Sequence, residues 1–191
     1  MQILKKREVD LALLLVAAFW GGSYLAAKEL TEHTSVVALL AIRFSITSIA
    51  MFAIWTIKRT SITRSEALLG LGLGSVQALI LFFETSGVAR TSATNAGLII
   101  SLCIVLTPIL ESVASKNWLP RSFFITAVTA VVGVALLVSD KGFAAPSVGD
   151  WLMLAAAVVR AIHVTSMGHL TKGKSYSSVS ITLLQSLACA F

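Results

Sequence analysis

Apolar positions in this chain come in long unbroken blocks, with polar residues collected between them. The block Ala93–Ser115, ATNAGLIISLCIVLTPILESVAS, holds 23 residues and lacks the polar stripe of a soluble amphipathic helix. About 20 apolar residues match the roughly 30 Å hydrocarbon core of a bilayer. The same reading predicts helices at 11–27, Val36–Ile57, Ala67–Val88, Ser122–Ser139 and Asp150–Leu170, and a seventh from near Val179. DKGFAAPSVG at 140–149 forms the longest Gly/Pro-containing break. The block 93–115 is expected to be the centre around which the other helices pack. Pro108 inside it removes a backbone donor and clashes one turn back, so a bend is expected there.

Small residues add packing expectations. Ala18, Gly22 and Ala26 form a ridge at spacing four, which favours close approach of another helix. Gly70 and Gly74 do the same in the third helix. Their run, GLGLGS, imitates a phosphate loop, but such a loop needs a preceding strand and a water-facing turn. The four-residue link after the third helix makes helices three and four antiparallel neighbours.

Composition agrees with a membrane assignment. The 191 residues are 57% hydrophobic and 13% charged, against about 25% charged in soluble domains. The net charge of +6 is spread over short loops rather than one face, which excludes a nucleic-acid surface. Cys103 and Cys189 fall inside apolar blocks and imply no disulfide framework. The histidines show no metal-ligand spacing, and neither a metal nor a cofactor is expected.

Loop charges give the orientation. Ten Lys and Arg lie before helix one and in the 2–3, 4–5 and 6–7 loops, against three (Lys28, Arg90, Lys141) in the alternate loops. By the positive-inside rule the N-terminus is cytoplasmic. The basic start followed by an apolar run also has the look of a signal peptide, but the run continues past Trp20 and further spans follow.

Offset by 140, DLALLLVAAFWGGSYL from Asp10 lies beside DWLMLAAAVVRAIHVT from Asp150, pairing Trp20 with Arg160. LAIR at Leu40–Arg43 lies beside TLLQ at Thr182–Gln185. An odd number of helices per copy makes the second copy start on the opposite side. Inverted repeats of this kind mark secondary transporters, with substrate near the midplane between the halves. The expected division is 1–140 as a first five-helix repeat and 141–191 as the start of a second. The chain stops in that copy's second helix, so a partial sequence is expected.

FWGGSYLAAK, ALLAIRF, the helix three–four block ending LTPILES, and GDWLMLAAAVVRAIHV resemble the EamA-type family of the drug/metabolite transporter superfamily. The resemblance covers the whole chain. It implies ten helices in two inverted repeats, cytoplasmic termini, and movement of small metabolites such as amino acids across a bacterial cytoplasmic membrane. The link after helix four reads SKNWLPR and lacks the acid that many relatives carry there; Glu111 lies earlier.

Four ionisable residues fall within spans: Arg43, Glu84, Glu111 and Arg160. At 1.5 Å per residue, Arg43 and Glu84 lie roughly 10 Å and 6 Å from the outer ends of their helices, so a pair is expected. Arg160 lies near the midplane, about 12 Å in depth from Glu111. Such residues are either structural pairs or part of a transport path. Trp20, Tyr24, Gln77, Arg160 and His163 are candidate cavity-lining residues; Arg43, Glu84 and Glu111 are candidate coupling charges. The expected class is an all-α integral membrane transporter in the bacterial inner membrane, working by alternating access on a small-molecule substrate in the lipid bilayer. The rivals are a non-transporting helical component and a membrane-embedded enzyme, the latter lacking HExxH or a nucleophile elbow. Oligomeric state is left open.

Overall fold

The computed structural model describes residues 2–138 and 146–190, with side chains from Val9 onward. Its helices are α1 (Gln2–His33), α2 (Val36–Lys58), α3 (Arg64–Arg90), α4 (Ala93–Ser101), α5 (Cys103–Ser115), α6 (Arg121–Val138), α7 (Val148–Thr171) and α8 (Ser178–Ala190). No strand occurs among the described residues. Taking α4 and α5 as one span, five helices are long and apolar enough to cross a membrane; α6 and α8 are shorter. Helix one is longer than the apolar block alone indicated. Most of the 140–149 break lies outside the described residues.

Side-chain caps set the helix starts. Ser35 accepts from the Ala38 amide and Ser92 from the Asn95 amide. Thr63 with Glu66, and Ser147 with Asp150, close full capping boxes at the starts of α3 and α7. Arg59 and Lys116, both left-handed, end α2 and α5.

The hub of the bundle is α3 rather than the 93–115 span. It packs most extensively on α7 and α8, and also touches α1, α2 and α4. The glycine ridge explains why. A methyl group at Gly70 would lie 2.7 Å from Leu184 Cβ, and one at Gly74 would lie 2.7 Å from Ala188 Cβ. Only glycine lets α8 come this close. The ridge Ala18, Gly22 and Ala26 is instead exposed, and nothing lies within 4 Å of a methyl group placed at Gly22.

The helix in the 93–115 span is interrupted at Leu102, six residues before Pro108, and α5 continues through the proline. The Leu102 amide bonds the Ile99 carbonyl at 3.1 Å, a tightened three-residue turn. Ser101 and Thr107 hydroxyls take the carbonyls of Leu98 and Cys103. These side chains compete with the backbone ladder on both sides of the turn, so the irregularity lies where hydroxyls gather.

Contacts fix the helix directions. Tyr24 meets Glu84, and Lys28 donates to the Ala89 carbonyl at 3.0 Å, so α1 runs parallel to α3. Gly149 packs on Arg90 while His163 meets the Leu73 carbonyl, so α7 runs antiparallel to α3. Thus α1 and α7 run in opposite directions. The 2–3 and 7–8 links share the basic end of the bundle, where the Ser177 amide donates to Glu66 at 2.7 Å. At the other end Thr91 donates to Asp150 at 2.7 Å. Between these ends a buried core joins Tyr24, Ile80, Val88, Ala96, Ile99, Ile100, Met153, Ala156 and Ala157. Large apolar side chains such as Phe19, Ile49 and Ile57 point outward, as lipid-facing residues would.

Candidate functional site

A polar cavity of about 210 Å³ opens between α1, α2, α3 and α7. Tyr24 projects into it from α1 because it lies one turn from Trp20 on the face opposed to α3. Glu84 projects from α3 and Arg160 from α7. Glu84 is 8% exposed and is the meeting point: Tyr24 donates to its Oε1 and Arg160 Nη2 to its Oε2. The Arg160 guanidinium carbon also lies 5.5 Å from the centroid of the Trp20 ring. Arg43, Gln77, Thr85 and Ser23 complete much of the polar wall, and Phe44 stands beside them.

The expected Arg43–Glu84 pair does not form; Arg160 takes the carboxylate. The helix that lies against α3 explains the difference. Every helical side chain leans toward its own helix N-terminus. Glu84 leans toward the basic end and both arginines lean toward the opposite end, so lean admits either partner; α7 packs far more extensively on α3 than α2 does, which puts Arg160 against the carboxylate. Arg160 starts deeper, about 16 Å from the Gly149 end against about 9 Å for Glu84. It leans back toward Glu84, and the two converge. Arg43 is exposed at the cavity wall and lies over its neighbour Phe44 at 5.7 Å.

Of the other candidates, Trp20, Tyr24, Gln77 and Arg160 line this cavity and His163 does not. His163 is buried, with Nε2 3.1 Å from the Leu73 carbonyl, and braces α7 on α3. Glu111 lies apart at the basic end, 3.0 Å from His169, both partly exposed. Pro108 is half-buried within α5. His169 was not singled out in the sequence; it lies in the last turn of α7, against Glu111 of α5. Ser23, Phe44 and Thr85 carried no signal beyond ordinary span composition. Glu29, Glu32 and His33 lie within 4.8 Å of one another at the exposed end of α1. This corrects the reading that no histidine shares ligand spacing with carboxylates, though such exposed groups are common without an ion. A second, open groove of about 500 Å³ runs between α1 and α4–α5, lined almost wholly by apolar atoms. Trp20 and Tyr24 stand between the two.

Long apolar helices around a buried ion pair and a polar cavity define a multi-pass helical membrane protein. The profile of the EamA-like transporter family matches residues 8–139, more than half of the sequence. The chain belongs to the EamA-like transporter family, within the drug/metabolite transporter superfamily. It is similar to an uncharacterized transporter of Archaeoglobus fulgidus, 29% identical over 171 residues, covering 88% of this chain and 51% of the relative. A second uncharacterized transporter of that organism is 26% identical over 157 residues, covering 81% of this chain and 55% of the relative. The chain therefore spans about half the length of these curated relatives. No solved structure matches it at a significant level.

Proposed function

We propose that this chain supplies one repeat (1–140) and the opening of an inverted second repeat (141–191) of a secondary transporter. It moves small polar metabolites across a bacterial cytoplasmic membrane by alternating access, with its N-terminus inside. The reading is carried by one observation: the buried Tyr24–Glu84–Arg160 cluster lines a cavity between the first helices of the two copies. Ionisable groups inside a membrane bundle are costly and cluster on substrate paths. Support also comes from the opposite directions of α1 and α7, as inverted repeats require. The family assignment and the transporter relatives agree. No cofactor or metal enters this mechanism, so the driving force is a solute or ion gradient.

The test is solute flux in proteoliposomes containing the full chain, using labelled amino acids and organic acids. Concentration-dependent, saturable flux that falls at least tenfold in Arg160→Lys, at unchanged folded yield, is the expected result. Lysine keeps the charge but loses the planar fork. Normal flux in Arg160→Lys and Arg160→Gln alike would remove Arg160 from the path. Absence of flux would favour a non-transporting membrane component.

A further inference from the structure

We propose that Glu84 is a built-in stand-in for a substrate carboxylate, and that a small organic anion replaces it on Arg160 as Glu84 takes up a proton. This rests on the transport reading and adds a substrate class and a coupling to it.

The argument begins with unused capacity on Arg160. Its Nη2 donates to Glu84, while its Nε is buried and has no hydrogen-bond partner among the described residues. An arginine fork takes a carboxylate best through two parallel N–H bonds. Glu84 meets this fork through Oε2 alone, while Tyr24 donates to Oε1. The buried pair is thus incompletely matched, and a free carboxylate arriving from the cavity would have both oxygens available.

Charge and shape favour the same ligand. The cavity is lined by two cations, Arg43 and Arg160, and one anion, Glu84, a formal excess of one positive charge. Trp20, Phe44, Leu81 and Val88 provide an apolar wall for a short hydrocarbon body. The volume of about 210 Å³ is below the roughly 300–1,000 Å³ of drug-sized sites, so the anion is small.

Loss of its guanidinium partner then calls for a proton on Glu84, because Arg43 is exposed at the cavity wall and does not replace Arg160 there. Before exchange the inner site holds Arg160⁺ and Glu84⁻. After the anion binds Arg160, Glu84⁻ would be left buried without a counter-ion, which is strongly disfavoured. One proton from water placed on Glu84 Oε2 restores the original charge, and Tyr24 still donates to Oε1. The other groups around Glu84 do not supply this step. Lys28 on α1 is tied to the Ala89 carbonyl. Arg43 on α2 is already a cation. Cys103 on α5 lies within electrostatic reach of both partners but is a thiol. His163 on α7 is held by the Leu73 carbonyl, and Cys189 on α8 by the Gly74 carbonyl.

The experiment is calorimetric titration of the full chain in detergent with acetate, benzoate and indole-3-acetate, and with benzamide as a neutral isostere. Each is run in two buffers of different ionisation enthalpy, from about pH 6 to 8, where the free carboxylates are ionised. The expected result is binding of at least one carboxylate, none of benzamide, and uptake of up to one proton per anion. One linked proton weakens binding about tenfold per pH unit where Glu84 is charged before binding. In Glu84→Gln the anion should bind more tightly and independently of pH, with no uptake. Binding without proton exchange in the wild type overturns the proposal, as does equal uptake in Glu84→Gln, equal binding of benzamide, or failure of all three carboxylates. If Glu84→Gln does not fold, the wild-type buffer comparison decides alone. Proton-linked anion binding without flux would sink the transport reading and leave this site standing; flux of neutral solutes without anion binding would do the reverse.

Discussion

Arg160 and Trp20 are counterparts in the 140-residue internal offset, and in the fold the guanidinium carbon of one lies 5.5 Å from the ring centroid of the other. Under the proposed inverted repeat such equivalent positions meet near the pseudo-axis between the halves. Desolvated cation–π contacts contribute up to about 2 kcal/mol. Trp20→Leu is therefore expected to destabilise the chain by about 1–2 kcal/mol, and Trp20→Phe by less. A double-mutant cycle with Arg160→Gln, read by denaturant titration in detergent, should give a coupling energy of that size. Additive losses would mean that the ring and the cation do not interact.

A second cycle concerns the carboxylate. Removing one member of a buried ion pair costs about 3–5 kcal/mol, because the other charge is left unpaired. Arg160→Met is expected to lose stability on that scale, and Arg160→Met with Glu84→Gln to recover much of it. Arg43→Gln should couple weakly to Glu84, since Arg43 is exposed and the carboxylate is already held by Arg160 and Tyr24. Strong Arg43–Glu84 coupling with none at Arg160 would contradict the observed pairing.

The contrast between these arginines shows what was legible in the sequence. The number and place of the apolar spans, the packing glycines Gly70 and Gly74, and the Trp20–Arg160 juxtaposition all followed from pattern and offset. Depth along a helix was legible too, but pairing was not. Rise per residue locates a Cα, whereas pairing depends on which helix lies opposite. The hub was misjudged for a related reason. Apolar length ranks a span by its fit to lipid; α3 is central because Gly70, Gly74 and Gly87 admit neighbours. Glu66 and Asp150 were not singled out as caps, although Thr63-x-x-Glu66 and Ser147-x-x-Asp150 carry the capping-box signature. Their second contacts, to Ser177 and Thr91, required the fold.

Orientation rests on ten basic loop residues against three. A reporter inserted between α6 and α7 should be accessible from outside intact cells, and one at Lys172 only from within. The reverse at one position alone would overturn the orientation and the inverted repeat with it; the reverse at both would flip the orientation.

Glu66 is 3% exposed and accepts from the Thr63 amide at 2.8 Å, the Thr63 hydroxyl, and the Ser177 amide. One carboxylate thereby caps α3 and pins the link before α8. Glu66→Ala leaves those donors unpaired, at a cost of about 1–3 kcal/mol for a buried group. The loss should be local: faster hydrogen exchange at Ser177 and in the first turn of α8, with α7 little changed. Glu66→Gln keeps one acceptor oxygen and should lie between. Unchanged exchange at Ser177 in Glu66→Ala would show that the link is held by something else.

The last expectation separates two glycines that look alike in sequence. Gly22 and Gly74 each belong to a small-residue ridge at spacing four, and each lies inside a helix. Alanine has the higher helix propensity by about 1 kcal/mol, so with no neighbours both substitutions would stabilise. At Gly22 nothing lies within 4 Å of the added methyl group, and Gly22→Ala should leave stability equal or slightly improved. At Gly74 the methyl group would meet Ala188 Cβ at 2.7 Å and Gln185 Cα at 2.9 Å. A backbone atom cannot swing aside, so α8 must move as a unit. Overpacking of this kind costs about 1–3 kcal/mol, more than the propensity gain in most of that range. Gly74→Ala should therefore be the less stable of the two in denaturant titration, and Gly74→Leu should release α8 from α3. Hydrogen exchange across α8 should be faster in Gly74→Leu than in the parent, with α7 little changed. Equal behaviour of Gly22→Ala and Gly74→Ala, with exchange across α8 unchanged in Gly74→Leu, would mean that α8 does not sit on this ridge.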